Sequence, residues 1–160
     1  MTIDAHTHPG AVALLLGKAR IDPRQVRLPI SGIRAALGFP SPTEDFQDDG
    51  IDLNELLISN APATFFYRAE GDSMMLAGIC DGDILIVDRS VEVRSGQLVL
   101  ATWEGNQPTC KLLKVVGGRM ELHSRNPDYA KIVLPAETEV EMFAVTGVVR
   151  MLHPHRKQPR

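Results

Sequence analysis

Residues 97–123 read QLVLATWEGNQPTCKLLKVVGGRMELH and contain three short apolar runs separated by turn residues. Each run is rich in residues that favour strands, and the boundaries between runs fall at glycine and asparagine, which tolerate the backbone conformations of tight turns. The pattern therefore predicts three consecutive strands, Gln97–Trp103, Thr109–Val116 and Arg119–His123, with turns at Gly105-Asn106 and Gly117-Gly118.

The same alternation of apolar runs and turns continues on both sides of this stretch. Gly147 lies inside the last apolar run, and a glycine at such a position indicates a bulge or a bend. Short strands separated by turns are typical of a compact, mainly β domain with mostly antiparallel pairing. The four further strands predicted are Thr64–Ala69, Ile84–Asp88, Lys131–Leu134 and Val140–Arg150, with turns at Asp81-Gly82 and Asn126-Pro127.

The residues before the β domain follow a different pattern. The first segment contains Pro9, Pro23 and Pro29, which interrupt any long helix, and its apolar residues keep no sustained period. We therefore expect a mobile arm with room for one short strand. We divide the chain into this arm, residues 1–37, a linker, 38–60, the β domain, 61–152, and a basic tail, 153–160.

The linker combines a turn-rich joint with one short helix. Turn-forming residues run from Gly38 to Pro42. A helix is predicted over Asp52–Ile58, because Asp52 fits the capping position and Glu55 follows three residues later. The leucines expected to share one face of this helix are Leu53, Leu56 and Leu57.

The net charge of −3 conceals an uneven distribution along the chain. The arm carries +3, the linker −6, the β domain −3 and the basic tail +3. A small negative total argues against a protein held on DNA or anionic lipid by bulk charge. We expect at most a modest, salt-sensitive attraction between the basic arm and the acidic linker.

Length and composition indicate a cytoplasmic protein. At 160 residues and 44% apolar composition, the chain can bury a core without disulfides or metal. The two cysteines, Cys80 and Cys110, are interpreted as reduced cytosolic thiols. The apolar run Ala11–Gly17 is far shorter than the ~20 residues of a membrane span and lacks the basic lead-in of a secretory signal. We therefore expect no contact with a membrane.

One segment, Glu70–Gly78, interrupts the strand pattern. The preceding strand ends at Gly71, and Ser73–Ala77 is compatible with one helical turn capped by Asp72. Such a junction presents a hydroxyl beside free backbone N–H groups, which a serine nucleophile and its oxyanion require. A plain capped turn fits the same residues, and the spacing alone favours that simpler interpretation.

A serine nucleophile needs a proton acceptor within hydrogen-bond distance. His123 is the only one of the five histidines in a predicted strand, where a half-exposed structural position is the simpler interpretation. Lys111 is the other candidate. On a two-residue period Lys111 and Lys114 face opposite sides of their strand, and each interrupts an apolar face. Lys111 is therefore either a solvated edge-strand lysine or a buried, neutral base, and the residues leave both open.

The other four histidines form two pairs near the termini, His6 with His8 and His153 with His155. Each pair offers two ligands, whereas zinc sites use three or four protein ligands. We therefore predict no metal and no other cofactor.

An ordered set of residues goes beyond these single motifs. It consists of Gly71-Asp72-Ser73-Met74, the run Gly78–Asp88, and Lys111 thirty-eight positions after Ser73. In this order and spacing the residues resemble the LexA-like self-cleaving serine–lysine peptidases, the S24 family. This resemblance implies a LexA/UmuD-like β domain.

Upstream segments refine the resemblance. Gly38–Phe46 and Ile51–Leu57 look like the UmuD branch of that family, the accessory subunits of error-prone DNA polymerase. Leu122–Tyr129 is a third, weaker match. Together the matching segments span about residues 36–150, most of the chain.

The resemblance implies a serine–lysine mechanism. Ser73 would be the nucleophile and Lys111 the general base, and the backbone N–H groups of Ser73 and Met74 would form the oxyanion hole. The substrate would be the protein's own arm, cut between Leu37 and Gly38. Such serine–lysine pairs need no histidine.

The resemblance also implies partners. A RecA–single-stranded-DNA filament would stimulate cleavage, and the trimmed homodimer would join a UmuC-type polymerase in translesion synthesis. No sequence-specific DNA binding is expected, because the arm shows no helix-turn-helix pattern.

Two departures from the family pattern keep alternatives open. Leu37 stands where the family usually has Cys or Ala, and a larger side chain there implies slower cleavage or a roomier pocket. It also motivates one alternative, a non-cleaving module that only docks on a polymerase. The arm is also longer than in the UmuD branch, and its first twenty residues match no part of the family pattern. A signal-peptidase-like enzyme acting in trans and a LexA-like repressor fragment are the remaining alternatives.

Overall fold

The structure is a computed structural model that describes residues 12–19, 52–103 and 105–152. Within these residues it contains eight strands, one short α-helix, and 3-10 turns at Ala61–Ala63 and Met75–Ala77. The strands and the helix are β1 (Ala13–Lys18), α1 (Leu53–Leu57), β2 (Thr64–Ala69), β3 (Ile84–Asp88), β4 (Leu98–Trp103), β5 (Thr109–Val116), β6 (Arg119–His123), β7 (Ile132–Val133) and β8 (Val140–Val149).

The predicted strands are all present. The bounds of β2, β3, β5 and β6 agree with the prediction, while β4, β7 and β8 are shorter by one or two residues. The one short strand for which the arm has room is β1. The glycine and Asx turns locate the strand ends well because each turn requires a backbone conformation that interrupts the pairing.

The strands form one antiparallel sheet in the order β1-β2-β3-β8-β4-β5-β6-β7. The last strand, β8, returns to lie between β3 and β4. Val12, just before β1, forms an isolated antiparallel bridge with Thr109 at the start of β5. The sheet therefore curves enough to bring the start of β1 beside the start of β5. The expectation of a mainly β, antiparallel fold is confirmed.

Apolar side chains pack on both faces of the curved sheet. In β4, Leu100 belongs to one core cluster while its neighbours Val99 and Ala101 belong to another. Successive residues of a strand point to opposite faces, so β4 lies between the two clusters. The first cluster consists of Ala13, Tyr67, Ala69, Met74, Ile79, Leu85, Val87, Leu100 and Cys110, and the second of Val99, Ala101, Leu113, Leu122 and Leu134.

The bulge predicted at Gly147 is confirmed. Ile86 pairs with Gly147 and Val87 pairs with Val145, which leaves Thr146 as an extra residue in β8. A Cβ atom at position 147 would lie 3.2 Å from Ile86 Cδ1. Glycine therefore allows the close approach of the two strands at the bulge.

The predicted linker helix is present as α1. Its cap is Asp52, whose side-chain Oδ1 accepts a hydrogen bond from the Asn54 backbone N–H at 2.8 Å. Leu53 and Leu56 are more than half exposed, and no residue of α1 is buried. The apolar face expected of this helix is therefore not covered by the part of the chain that the structure describes.

Several predictions concern residues outside the described ranges. They are the mobility of the remainder of the arm, the Gly38–Pro42 joint, the cut between Leu37 and Gly38, and the basic tail. In the segments that the structure does describe, no helix is long and apolar enough to cross a membrane. The four-part division of the chain stays a prediction.

Candidate active site

Ser73 lies in a tight junction directly after β2. Gly71 has a φ of +88°, a conformation that side chains disfavour, and its N–H donates to Asp81 Oδ1 at 2.7 Å. The chain thereby turns out of the strand and into the protein, where Ser73 is completely buried. The positive φ of Gly71 therefore allows the chain to leave β2 in the direction that places Ser73 in the interior.

The turn after Ser73 differs from the predicted one. It is the 3-10 turn Met75–Ala77, closed by Gly78 in the left-handed conformation, rather than a helical turn over Ser73–Ala77. Asp72 was also expected to cap it, but its Oδ1 instead accepts the Tyr129 hydroxyl at 2.5 Å. Because the Asp72 carboxylate binds a tyrosine far away in the sequence, the Met75 N–H is bound by the Asp72 backbone carbonyl and not by its side chain.

The segment after β6 supports the serine from one side. The Arg125 N–H donates to the Ser73 carbonyl at 2.8 Å, and the Arg125 carbonyl accepts the Leu76 N–H at 2.9 Å. Asn126, itself buried, donates from Nδ2 to the Asp72 carbonyl at 3.2 Å. Sequence reasoning missed this support, although the weak family match at Leu122–Tyr129 was a signal for it.

An ion pair between exposed Arg150 and buried Asp83 holds the far end of the same turn. Arg150 follows β8 and contacts both carboxylate oxygens of Asp83 at 2.7 Å, while one of its nitrogens donates to the Gly78 carbonyl at 2.6 Å. Hydrogen bonding to Arg150 lowers the pKa of Asp83 from its ordinary value. The turn that carries Ser73 is thus tied to the sheet at both ends, which makes the serine position well defined.

Lys111 on β5 is the side chain that meets Ser73. Its Nζ lies 2.8 Å from Ser73 Oγ, 3.2 Å from Thr109 Oγ1 and 3.1 Å from the Cys110 carbonyl oxygen. The side chain is only 3% exposed, because Lys111 pairs with Val99 in a face that the second core cluster covers. Lys114, on the other face, is exposed. Of the two interpretations left open for Lys111, the buried one is therefore the one observed.

Burial changes the acid–base behaviour of this lysine. Removing the ammonium from water lowers the pKa of Lys111 to about 8. Among the described residues no carboxylate forms an ion pair with Lys111 to offset this effect. Burial also raises the pKa of the adjacent Cys110 thiol to about 12, so that this neighbour stays neutral near pH 8. A substantial fraction of Lys111 is therefore a neutral amine at mildly alkaline pH.

His123 belongs to a different group of residues. Its Nε2 lies 2.6 Å from Glu121 Oε2, and the other carboxylate oxygen accepts a hydrogen bond from Lys131 at 2.8 Å. Hydrogen bonding to Lys131 and then to His123 lowers the pKa of Glu121. His123 is a half-buried strand residue that binds Glu121, which matches the simpler interpretation of its sequence position.

The described residues hold no group of three or more histidine, cysteine, aspartate or glutamate side chains arranged to bind a metal. The terminal histidine pairs, His6 with His8 and His153 with His155, lie outside those residues, as do Leu37 and Gly38.

An antiparallel β domain that buries a serine hydroxyl against a lysine amine is typical of serine–lysine peptidases. The chain belongs to the Peptidase S24-like family, whose model matches residues 29–149.

Two kinds of relative share this region. Protein ImpA of Escherichia coli is 39% identical over 130 residues, which cover 81% of this chain and 86% of that protein. Protein ImpA of Salmonella typhimurium gives the same figures. The LexA repressor of Stenotrophomonas maltophilia (strain R551-3) is 38% identical over 133 residues, which cover 82% of this chain but only 60% of the repressor.

Proposed function

We propose that this protein is an autoproteolytic serine peptidase that cuts its own arm between Leu37 and Gly38. The observation that carries the proposal is the contact of 2.8 Å between Ser73 Oγ and Lys111 Nζ. Burial lowers the pKa of this lysine to about 8, as a general base working near neutral pH requires. Membership of the Peptidase S24-like family is consistent with this chemistry.

The proposed reaction proceeds in two stages. Neutral Lys111 accepts the proton of the Ser73 hydroxyl while Oγ attacks the carbonyl carbon of Leu37. The peptide bond to Gly38 then breaks, and the Lys111 ammonium returns its proton to the leaving amine. Water, deprotonated by the same lysine, hydrolyses the resulting ester, which frees the Leu37 carboxylate and restores the Ser73 hydroxyl.

The negative oxygen formed in each stage needs hydrogen-bond donors. We assign that role to the backbone N–H groups of Ser73 and Met74. Within the described segments neither group donates a hydrogen bond to the protein, which is what a site for the substrate oxygen requires. The ties from Arg125 and Asn126 to this turn fix the direction of both groups before the substrate arrives.

The biological setting we propose is that of the UmuD branch. A RecA–single-stranded-DNA filament stimulates the cut, and the processed homodimer serves as accessory subunit of a UmuC-type error-prone polymerase in the cytoplasm. The support is the likeness to Protein ImpA, which spans 86% of that relative, together with the UmuD-like residues of the linker. The role also fits the charge distribution, because the cut would fall at the covalent junction between the basic arm and the acidic linker.

The test is N-terminal sequencing after incubation at pH 9, with and without an activated RecA filament. A new N-terminus at Gly38 is expected in the wild type and should be absent from Ser73→Ala and Lys111→Ala. Lys114→Ala is the matched control, because Lys114 lies on the same strand but is exposed and should leave cleavage unchanged. Cleavage that persists in both active-site variants would contradict the proposed mechanism.

A further inference from the structure

The strand β1 lies before the proposed cut in the sequence, yet it is a paired strand of the sheet. We propose that the edge of β2 and the start of β5 form a docking groove that keeps residues 12–19 bound after cleavage. The N-terminal fragment 1–37 then remains on the processed protein as its first strand. This inference rests on the proposed function, because it assumes a cut between Leu37 and Gly38.

Backbone hydrogen bonds hold the segment along β2. The register runs from Ala13 opposite Ala69 to Lys18 opposite Phe65. The pairing extends past both ends of the strand, since Glu70 N–H donates to the Val12 carbonyl at 2.8 Å and the segment's last residue donates to the Thr64 carbonyl at 2.9 Å. Addition of an extended peptide to a sheet edge in this way is a common mode of peptide binding.

The first residues of the segment also bind on their other side. The Ala13 N–H donates to the Pro108 carbonyl at 2.8 Å, and Val12 forms a bridge with Thr109. The segment therefore lies between two strands at this end, and its loss would leave backbone groups of both without their partners. Dissociation of the segment is therefore disfavoured, because it would leave unpaired backbone groups along the sheet edge.

Side-chain packing makes the same end the anchor of the fragment. Ala13 is 3% exposed and belongs to the first core cluster, together with Met74 and Cys110. Those two residues are the immediate neighbours of Ser73 and Lys111 in the sequence. Departure of β1 would therefore uncover the apolar core beside the candidate active site, which favours retention. Cleavage and release of the arm are accordingly separate events.

The rest of β1 offers a control. Leu16 is 46% exposed and falls at the irregularity in the register, where Leu15 pairs with Tyr67 and Gly17 with Phe66. An aspartate at position 16 would point a carboxylate at water, whereas an aspartate at position 13 would bury one among apolar side chains. Burial of an unpaired carboxylate is strongly unfavourable.

The experiment separates docking from self-cleavage by making the cut with an added protease. A viral protease recognition sequence is inserted in the linker of the full chain carrying Ser73→Ala, and the protein is cut and analysed by size-exclusion chromatography and native mass spectrometry. We expect the fragment to co-elute with the β domain at micromolar concentration. Ala13→Asp should weaken its retention at least about a hundredfold, whereas Leu16→Asp should retain it.

A second measurement covers the case in which Ala13→Asp fails to fold. Amide hydrogen exchange at Glu70, whose N–H donates to Val12, should stay slow after the cut in the chain with the native strand. Two outcomes would overturn the inference. One is that the fragment with the native strand separates from the β domain and exchange at Glu70 becomes fast. The other is that the Ala13→Asp and Leu16→Asp variants both fold and retain their fragments equally well. Failure of the wild type to cut itself would refute the proposed function alone, because the added protease makes the cut here.

Discussion

Lys111 Nζ and Ser73 Oγ lie 2.8 Å apart in the interior of the protein, and neither side chain is more than 3% exposed. The amine has only neutral oxygen partners among its hydrogen bonds, which are those of Ser73, Thr109 and Cys110. A buried lysine surrounded in this way is more easily neutral than one in water. The consequences of that arrangement are measurable in both rate and stability.

The first prediction is the pH dependence of self-cleavage. The neutral form of Lys111 is the base, and its pKa is about 8, so the rate should rise about tenfold per pH unit below 8 and level off above it. The measurement is the first-order rate of appearance of the fragment between pH 6 and 10. A rate that still rises tenfold per unit above pH 9 would show that the lysine titrates as an exposed one.

The second prediction concerns stability. The folded-state pKa of Lys111 is about 8 against 10.5 unfolded, so burial opposes folding by about 3 kcal/mol at pH 7. The unfolded state binds more protons between these two values, and stability therefore rises with pH across that window. In a Ser73→Ala background, Lys111→Met should raise the free energy of unfolding by about 2–3 kcal/mol at pH 7.5.

That gain should shrink as the pH approaches 10.5, because the penalty on the lysine disappears there. Urea unfolding at pH 7.5 and 9.5 measures the difference, and titrations elsewhere in the protein cancel between the two chains. Lys114→Met is the control and should change the free energy of unfolding by less than about 0.5 kcal/mol at either pH. An equal gain at both pH values would mean that Lys111 does not titrate in this range.

The sequence predicts the strands of this fold better than it predicts which faces are covered. Turn residues such as Gly117-Gly118 mark where strands end, so most bounds agree. Lys111 and Lys114 each interrupt an apolar face, and nothing local tells which of the two is buried. The answer depends on Val99 of β4, which pairs with Lys111 only after the sheet has assembled.

The pairing of β1 was beyond sequence reasoning for a similar reason. Leu14, Leu15 and Leu16 form a continuous apolar run without alternation, so the residues indicate no buried face, and in the structure all three are exposed. The strand's partner is β2, whose paired residues lie some fifty positions away in the sequence. Within β1 only Ala13, which has the smallest apolar side chain of the strand, belongs to a core cluster.

The third prediction tests the support behind the nucleophile. Asn126 donates to the Asp72 carbonyl and is buried, so Asn126→Ala should loosen the turn before Ser73 and slow cleavage about tenfold or more. Because this side chain is not bonded to Lys111, the midpoint of the pH–rate profile should stay near 8. Tyr129→Phe, which removes a partly exposed hydroxyl from Asp72, should have a smaller effect. A shifted midpoint in Asn126→Ala would show that the residue acts through the lysine instead.

The fourth prediction concerns the residue before the cut. Leu37 is larger than the Cys or Ala that the LexA-like resemblance implies at this position, and in the proposed reaction its side chain has to be accommodated next to the serine for the carbonyl to be attacked. Leu37→Ala should therefore accelerate cleavage, with no change in the pH–rate midpoint, because Ser73 and Lys111 are untouched. Rates of the two chains measured side by side at pH 9 give the comparison, and Leu37→Ala combined with Ser73→Ala provides the background. If Leu37→Ala cuts itself rapidly while the wild type does not cut at all, the active site is intact and Leu37 blocks self-cleavage. That result would favour the non-cleaving docking module for the natural chain.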